Sequence, residues 1–560
     1  MSVGTINNVV ILRLCDSNRP KSYSRLDMVE FDEQKRRLLG SLTKVAVMPE
    51  TAVNMSGTRL QNFLDHVGLR GFPWKTATVL YTISWGWLLT VRNSNNLDEP
   101  LYWRTVIKLE DHGFAPWVDF WFTDFFDFLF PYFSEFAFVA YFIVGMCSFA
   151  IIRVLNFLDR SQVIFFTLLV LLVPLNTSRV SSMTIVYTCS LLIFFIAWSL
   201  LITTELIVVK LLSLLLFFMS FATHSLVLFF VLPLLQVFLT SQPKDLNSAI
   251  YWFRKNLILF LPPLLYVGFR AVFWTGGQNY HDVNSEKLLN GLQFSIPLLA
   301  IGVIVLVCNQ SSRFQNLTGM NAIGFGLLAS YLGSLPYVLY GFYQPDISFL
   351  RTFAVTFVGR SAWLSRHQLL QAFGLALILV GFVQLVSNLS TGFAKFLKVT
   401  SIACCMFLSV CFGFEYVVDS QKQDRIINAL ENESDLVMSR DYSFVDQVAT
   451  LNARGRPYKS SNYSVWLHQA KYRGDRKNLL TNFVSWNVSN DCRATKDGTL
   501  VLIQGPETHW DALKNWVSDG DMGFKVTVDD TPGACRPEMV MNGKVSGAIP
   551  ILFYFTGAKG

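Results

Sequence analysis

Long apolar segments with almost no charge constrain this chain more than any other feature. We predict about eleven of them, at 75–91, 133–153, 161–176, 181–202, 205–221, 224–240, 256–274, 290–308, 318–341, 368–388 and 398–414. Segments of this length match the hydrocarbon thickness of a bilayer when they are helical. Because backbone polar groups in lipid must be satisfied within a segment, and no barrel-like alternation occurs, each segment is predicted to be a helix.

The composition agrees with lipid as the main solvent of the chain. Hydrophobic residues make up 52% of the sequence and charged residues only 15%, whereas soluble globular proteins carry about 25% charge. The fold class is therefore predicted to be an all-α polytopic membrane bundle with a soluble α+β domain at the C-terminus. The net charge of +7 is modest and much of it lies in the N-terminal tail, so no nucleic-acid partner is expected.

Three regions follow from the position of the apolar segments. Residues 1–73 form an N-terminal extension, 74–414 the transmembrane domain and 415–560 a C-terminal domain. Basic residues flanking the helices are denser on the side of the N-terminus, which predicts a cytoplasmic N-terminus. An odd number of spans then places the C-terminal domain on the opposite side, and we expect a bacterial inner membrane with that domain in the periplasm.

Secondary structure is also predicted within the C-terminal domain. Gln423–Val437 has the pattern of an amphipathic helix, and Leu500–Gln504 and Gly523–Val528 have the pattern of strands. Cys492 and Cys535 are the two cysteines of this domain. In an oxidising compartment they could form a disulfide, and two separate thiols are the alternative.

Two predicted outward loops carry residues suited to chemistry. The first, after the first span, contains Asp98, Glu99, Arg104, Trp117 and Asp119; the second, before the tenth span, contains Arg351, Arg360, Arg366 and His367. A carboxylate beyond the membrane surface can accept the proton of an attacking hydroxyl. Arginines at the same level can bind a phosphate in a bidentate manner. Together these residues favour sugar transfer from a lipid phosphate.

Each of these residues also has an ordinary interpretation. Tryptophans near helix ends commonly anchor a protein at the membrane interface, and an acidic pair in a loop is commonly just solvated. The arginines could contact phospholipid headgroups, so membrane lipids are expected partners in either case. The hypothesis of sugar transfer requires the two loops to lie close together.

The arrangement resembles the GT-C superfamily of integral membrane glycosyltransferases. It is similar in plan to the GtrII-type O-antigen glucosyltransferases of bacteria and prophages. The resembling stretch runs from Asp98 to about Ser134, with the acidic pair followed by Arg104, Gly113 and Trp117. The stretch Leu335-Pro336-Tyr337 before the second loop and the outward C-terminal domain fit the same plan.

The resemblance implies roles for particular residues. Asp98 or Glu99 would be the catalytic base, and Arg351, Arg360 or Arg366 would hold the phosphate of a polyprenyl-phosphate-linked sugar. Arg104, Trp117, Asp119 and His367 would help to bind the substrates, and the C-terminal domain would help to bind an acceptor glycan, free or lipid-linked. Many members use a divalent metal, and Asp98, Glu99 and Asp119 could ligate Mg²⁺ or Mn²⁺; the sequence does not decide between metal-dependent and metal-free chemistry.

Other function classes remain open at this point. An O-antigen polymerase or ligase would use outward arginine and histidine, which the segment Arg360–His367 supplies, and would not need Asp98 and Glu99. A transporter or flippase of a lipid-linked sugar usually shows internal repeats and charges near the midplane, and neither is evident. A receptor or scaffold would not need carboxylates, arginines and aromatic residues in two separate loops.

Overall fold

The computed structural model of the chain describes part of the 560 residues. The described residues are 5–6, 9–10, 68–91, 132–155, 158–175, 177–180, 185–223, 225–241, 246–273, 318–339, 370–432, 442–453, 458, 463, 466–467, 488–489 and 499–529. The chain divides into two compact units, Met1–Asp65 and His66–Gly560. In the first unit, the strands β1 (Thr5–Ile6) and β2 (Val9–Val10) form an antiparallel pair.

The second unit is mostly helical. Its helices are α1 (Trp74–Trp85), α2 (Phe133–Val154), α3 (Arg160–Leu172), α4 (Ile185–Thr203), α5 (Ile207–Ser220), α6 (Ser225–Phe229), α7 (Val231–Ser241), α8 (Leu246–Lys255), α9 (Leu261–Phe273), α10 (Thr318–Leu339), α11 (Gln371–Leu389), α12 (Thr391–Asn432) and α13 (His509–Asp519). Its strands are β3 (Tyr442–Asp446), β4 (Val488–Ser489), β5 (Thr499–Gln504) and β6 (Lys525–Asp529).

Four of the described helices, α2, α4, α11 and α12, are long and apolar enough to cross a membrane. Shorter apolar helices lie at Arg160–Leu172, Ile207–Ser220, Ser225–Ser241 and Leu257–Phe269. Helices occur at every predicted span except 290–308, which lies outside the described residues. The described chain is thus a helical protein with four candidate spans and a small sheet, and the count of eleven stays a prediction.

Helices α3 and α12 run parallel and in register along the bundle. At one end, Lys398 Nζ donates to Ser161 Oγ over 2.9 Å. At the other end, Ser409 Oγ donates to the Leu172 carbonyl over 3.0 Å. The second bond also satisfies one of the last carbonyls of α3, which have no partner within their own helix.

Glycines allow α10 and α11 to pack at backbone distance. Gly319 and Gly326 of α10 are seven residues apart, as are Gly374 and Gly381 of α11, so each pair lies on one helix face. A Cβ added at Gly326 would lie 2.7 Å from the Gly374 carbonyl oxygen, and one at Gly319 would lie 2.5 Å from that of Gly381. Small residues have this role where lipid removes the hydrophobic driving force between helices.

A buried glutamine joins α2, α4 and α7. Gln236 Nε2 donates to the Ile151 carbonyl over 2.8 Å, and Gln236 Oε1 accepts from Trp198 Nε1 over 2.7 Å. Gln236 is fully buried, so both halves of its amide are used where water is excluded. Hydrogen bonds of this kind hold helices together in an apolar surrounding.

The C-terminal part of the chain contains a four-stranded sheet of order β4-β3-β5-β6. Strand β3 pairs parallel with β4 and β5, and β5 pairs antiparallel with β6. The strands predicted at Leu500–Gln504 and Gly523–Val528 correspond to β5 and β6. A core of aromatic and aliphatic residues, among them Tyr442, Phe444 and Trp466, packs between this sheet and the C-terminal half of α12.

Helix α12 continues through the break in composition at Glu415. The predicted helix at Gln423–Val437 is not separate, because α12 runs without interruption for 42 residues to Asn432. A helix of this length spans about 63 Å, roughly twice the hydrocarbon thickness of a bilayer. Its apolar half, up to Phe414, is therefore the candidate span, and its polar half from Glu415 packs against the sheet.

We predict that Gly326→Ala destabilises the protein. The added methyl group would meet backbone atoms of α11, which cannot yield as a flexible side chain does, and overpacking of this kind costs about 1–3 kcal/mol. The control is Gly268→Ala in α9, where an added Cβ meets nothing within 4 Å. Thermal unfolding of the solubilised protein should show a lower midpoint for Gly326→Ala alone; equal midpoints for both variants would contradict the close packing.

Candidate functional site

The helix ends that flank the two predicted loops point to the same end of the bundle. We call this the loop end; it holds Trp85–Val91, which precede the first loop, and Phe133, which follows it. Trp85 Nε1 donates to the Leu171 carbonyl over 2.9 Å, which places the end of α1 beside the end of α3.

Helix α11 begins towards that same end. Its residue Phe373 contacts Phe166 in the middle of α3, with ring centres 5.3 Å apart. Its last residue, Leu389, joins α12 through Ser390, beyond the Lys398–Ser161 bond at the other end. Since the glycine contacts make α10 antiparallel to α11, α10 ends where α11 begins, and both flanks of the second loop point to the loop end.

The predicted site residues themselves lie outside the described residues. Asp98, Glu99, Arg104, Trp117 and Asp119 fall within 92–131, and Arg351, Arg360, Arg366 and His367 fall within 340–369. Cys492 and Cys535 lie outside them as well. In the part of the chain that the structure describes, no three His, Cys, Asp or Glu side chains converge to hold a metal ion. The sequence-based roles of these residues therefore stay predictions.

A buried arginine lies at the loop end. Arg179 is only 4% exposed and is in the short 3-10 turn Thr177–Val180 between α3 and α4. Its Cζ atom lies 3.8 Å from the ring centre of Trp85 and 4.0 Å from that of Tyr141. Its Nη2 donates to the Leu175 carbonyl over 2.8 Å. The guanidinium is therefore enclosed by α1, α2 and the connection after α3.

The electrostatics of Arg179 follow from this enclosure. Burial lowers its pKa, while Tyr141 and Tyr81 act in the opposite direction, and Tyr81 also makes a side-chain hydrogen bond with it. The hydroxyl of Tyr81 donates to the Phe138 carbonyl over 2.8 Å, so it uses an oxygen lone pair towards the guanidinium. Arginine keeps its charge in such surroundings, and cation–π contacts of desolvated groups contribute about 2 kcal/mol or more.

The same end of the bundle contacts the helix that leads to the sheet. Trp87, in the 3-10 turn Gly86–Thr90 after α1, stacks on Tyr416 of α12, with ring centres 5.3 Å apart and planes 7° from parallel. Gly413 makes this possible, since a Cβ there would lie 2.2 Å from the Trp87 ring. The stem of the first loop therefore lies against α12 at the point where the sheet begins to pack on it.

A buried ion pair holds the polar half of α12 to the sheet. Lys422 is fully buried, and its Nζ donates to both carboxylate oxygens of Asp446 at 2.7 Å. The same Nζ donates to Asn452 Oδ1 at 2.7 Å and to the Val448 carbonyl at 3.0 Å. Removing either partner of this ion pair is costly, because the charge of the other partner would remain buried and unpaired.

A second carboxylate lies beside this pair without joining it directly. Asp419 is buried and accepts from the Tyr458 hydroxyl and, over 3.1 Å, from Gln423 Nε2. Burial raises the pKa of Asp419 to about 6; hydrogen bonds from Tyr458 and Gln423 and the charge of Lys422 oppose the rise. The pKa of Tyr458 is raised well above its ordinary value, chiefly by burial and then by Asp419. Tyr458 therefore stays a hydrogen-bond donor at neutral pH.

Sequence reasoning did not single out Arg179 or Lys422. Arg179 had a usable signal, since it is a basic residue in a short connection on the predicted outward side, where the charge rule expects few. Lys422 had none, because a lysine in a polar helix is normally solvated. Its importance depends on Asp446 and Asn452, which lie on elements distant in sequence.

We predict that Arg179→Lys destabilises the bundle by about 1–3 kcal/mol. Lysine keeps the charge but has no planar group to lie between Trp85 and Tyr141 while donating to Leu175. The matched control is Arg254→Lys on α8, where the side chain is exposed. Thermal unfolding in detergent should separate the two variants, and an unchanged midpoint for Arg179→Lys would show that the enclosure adds no stability.

We predict that the packing of α12 on the sheet weakens as pH rises from about 4 to about 7. The pKa of Asp419 is raised on folding, from 3.8 to about 6, so its ionised form is disfavoured in the folded protein. The contribution of Asp419 to the free energy of unfolding is complete below the pKa that this carboxyl has in the unfolded chain. It is lost, by on the order of 3 kcal/mol, as the pH rises through the pKa of the folded protein. Hydrogen exchange of the β3 amides, corrected for the intrinsic pH dependence of exchange, measures this loss of stability.

The variant Asp419→Asn isolates this effect. It keeps acceptor capacity for Tyr458 and removes the charge, so the pH dependence of β3 protection should flatten. Asp519→Asn, at an exposed position at the end of α13, should leave it unchanged. A wild-type slope in Asp419→Asn would mean that another group titrates.

Comparison with known proteins found no match, so the interpretation depends on the chain's own residues. No protein-family model matches the sequence, and no curated protein and no solved structure matches it either. The likeness to the GT-C superfamily therefore depends on the layout of the chain and on the stretch from Asp98 to about Ser134.

Proposed function

We propose that the chain is an integral membrane glycosyltransferase. It moves a sugar, with glucose as the first candidate, from a polyprenyl-phosphate donor to a glycan such as O-antigen on the outer side of a bacterial inner membrane. The full fold in this proposal is a GT-C-like bundle of about eleven helices, with a cytoplasmic N-terminus and a periplasmic α+β domain.

One observation supports the proposal more than any other. The described flanks of the two chemistry-bearing loops point to the same end of the bundle, and the sheet packs on α12 at that end. A transferase of this kind needs its base, its phosphate-binding groups and its acceptor-binding domain on one side of the membrane. Loops emerging at opposite ends would have excluded this arrangement.

The reaction follows from the residue types in the loops. Asp98 or Glu99 accepts the proton of the acceptor hydroxyl, whose oxygen then attacks the anomeric carbon. The bond from that carbon to the phosphate oxygen breaks, and the polyprenyl phosphate leaves with the electron pair. Arg351, Arg360 or Arg366 stabilises the phosphate, and a single displacement inverts the anomeric centre. Arg179 and Trp87 hold the stem from which the first loop emerges.

The proposal predicts loss of sugar transfer when the first-loop carboxylates are neutralised. Transfer from polyprenyl-phosphate-glucose to endogenous glycan would be measured in membranes containing wild type, Asp98→Asn, Glu99→Gln or the double variant. Removal of a general base lowers turnover by roughly 10²–10⁴-fold, so at least one single variant and the double variant should fall by about that factor. Immunoblotting confirms equal amounts of protein.

Two further carboxylates of the same loop serve as matched controls. Asp124→Asn and Asp127→Asn remove equal charge from the same stretch of sequence and should keep transfer near the wild-type level. Transfer that survives in the double variant Asp98→Asn/Glu99→Gln would favour the polymerase or ligase class, which depends on arginine and histidine. A wild type inactive with every polyprenyl-phosphate sugar would favour transport of a lipid-linked sugar.

A further inference from the structure

Helix α13 of the sheet region has an exposed apolar face. Trp510 is 57% exposed and Val517 is 74% exposed, and the half-buried Leu513 lies between them. Residues spaced by three and seven positions share one side of a helix, so these three form a single stripe. Lys514, with 73% of its side chain exposed, lies beside the stripe and pairs with Asp511 over 3.2 Å.

The helix that carries this stripe is well formed. Thr508 caps its N-terminus by accepting from the Asp511 amide over 3.1 Å, and Gly520 ends it in the left-handed conformation at φ 72°. His509 and Ala512 are buried on the side that packs on the sheet core. The exposed stripe is thus a second face of a rigid helix.

The position of α13 relates this face to the membrane. The rings of His509 and Phe414 are in contact, with centres 6.5 Å apart. Phe414 is the last apolar residue of the candidate span in α12, just before Glu415. Farther into that span, Phe407 and Val410 are exposed apolar residues, as expected of a surface that faces lipid. The start of α13 therefore lies beside the point where α12 leaves the hydrocarbon region.

We propose that α13 docks its face of Trp510, Leu513 and Val517 into the headgroup region of the membrane that α12 crosses. Tryptophan is enriched at that depth, where its ring meets apolar chains and its N–H meets water. An interfacial helix buries its apolar face about 5–10 Å into the boundary between headgroups and acyl chains. The contact of His509 with Phe414 places the start of this helix next to the end of the apolar half of α12.

Docking would fix the sheet against the bilayer at a second place besides α12. The buried pair of Lys422 with Asp446 holds the sheet to α12, and docking of α13 would add a contact with lipid. The inference depends on α12 crossing a membrane and does not depend on glycosyl transfer, so the two proposals can fail separately.

Photo-crosslinking of the full-length chain tests the docking. The photoreactive residue p-benzoyl-phenylalanine would be introduced at position 510, 517 or 518, one at a time. Each protein is placed in nanodiscs of phosphatidylcholine and phosphatidylglycerol and irradiated, and lipid adducts on the peptide containing α13 are quantified by mass spectrometry. Position 518, occupied by the exposed Ser518 on the same helix, is the matched control. Monodisperse elution before irradiation confirms that each variant is folded.

Docking predicts that lipid adducts at positions 510 and 517 exceed those at position 518 by roughly fivefold or more. Equal yields at the three positions, or no adduct at any of them, would overturn the proposal. Adducts to residues 530–560 would show instead that a segment of this chain covers the face. A covalent dimer would show that a second copy covers it, and either result also overturns docking to lipid.

Discussion

One continuous helix, α12, has an apolar half and a polar half, and most of the described structure packs along it. The first half of α12 is apolar and the second half carries Asp419, Lys422 and Arg425, yet its backbone hydrogen bonds continue from Thr391 to Asn432. Bundle helices pack on the first half and the sheet packs on the second. Because a helix transmits position along its length, the sheet has a defined orientation relative to the bundle.

Different forces hold the two halves of this arrangement. In the apolar half, small residues and isolated hydrogen bonds replace the hydrophobic effect, as in the glycine contacts of α10 with α11 and the amide of Gln236. In the polar half, an aromatic core surrounds the pair of Lys422 with Asp446. The pair alone is weak grounds for stability, but it fixes which helix face meets β3.

The loop end brings these two halves together. The guanidinium of Arg179 lies between the rings of Trp85 and Tyr141, and Trp87 stacks on Tyr416 beside Gly413. These contacts set where the chain leaves α1 and where it returns at α2. A loop that emerges from such a stem starts from rigidly held residues, and positioned groups of this kind are what preorganised chemistry requires.

The sequence by itself determined the helical fold class, the helices at the predicted spans that the structure describes, and β5 and β6, because hydropathy runs and strand patterns are local. Helices α8 and α13 and strand β3 were not predicted from it. It also determined the candidate residues of the two loops by type and order, such as Asp98 and Arg360. Only the tertiary structure decided that α12 continues past Glu415, that Arg179 is enclosed and that Lys422 meets Asp446. The physical reason is that burial and pairing depend on partners distant in sequence, which no local pattern specifies.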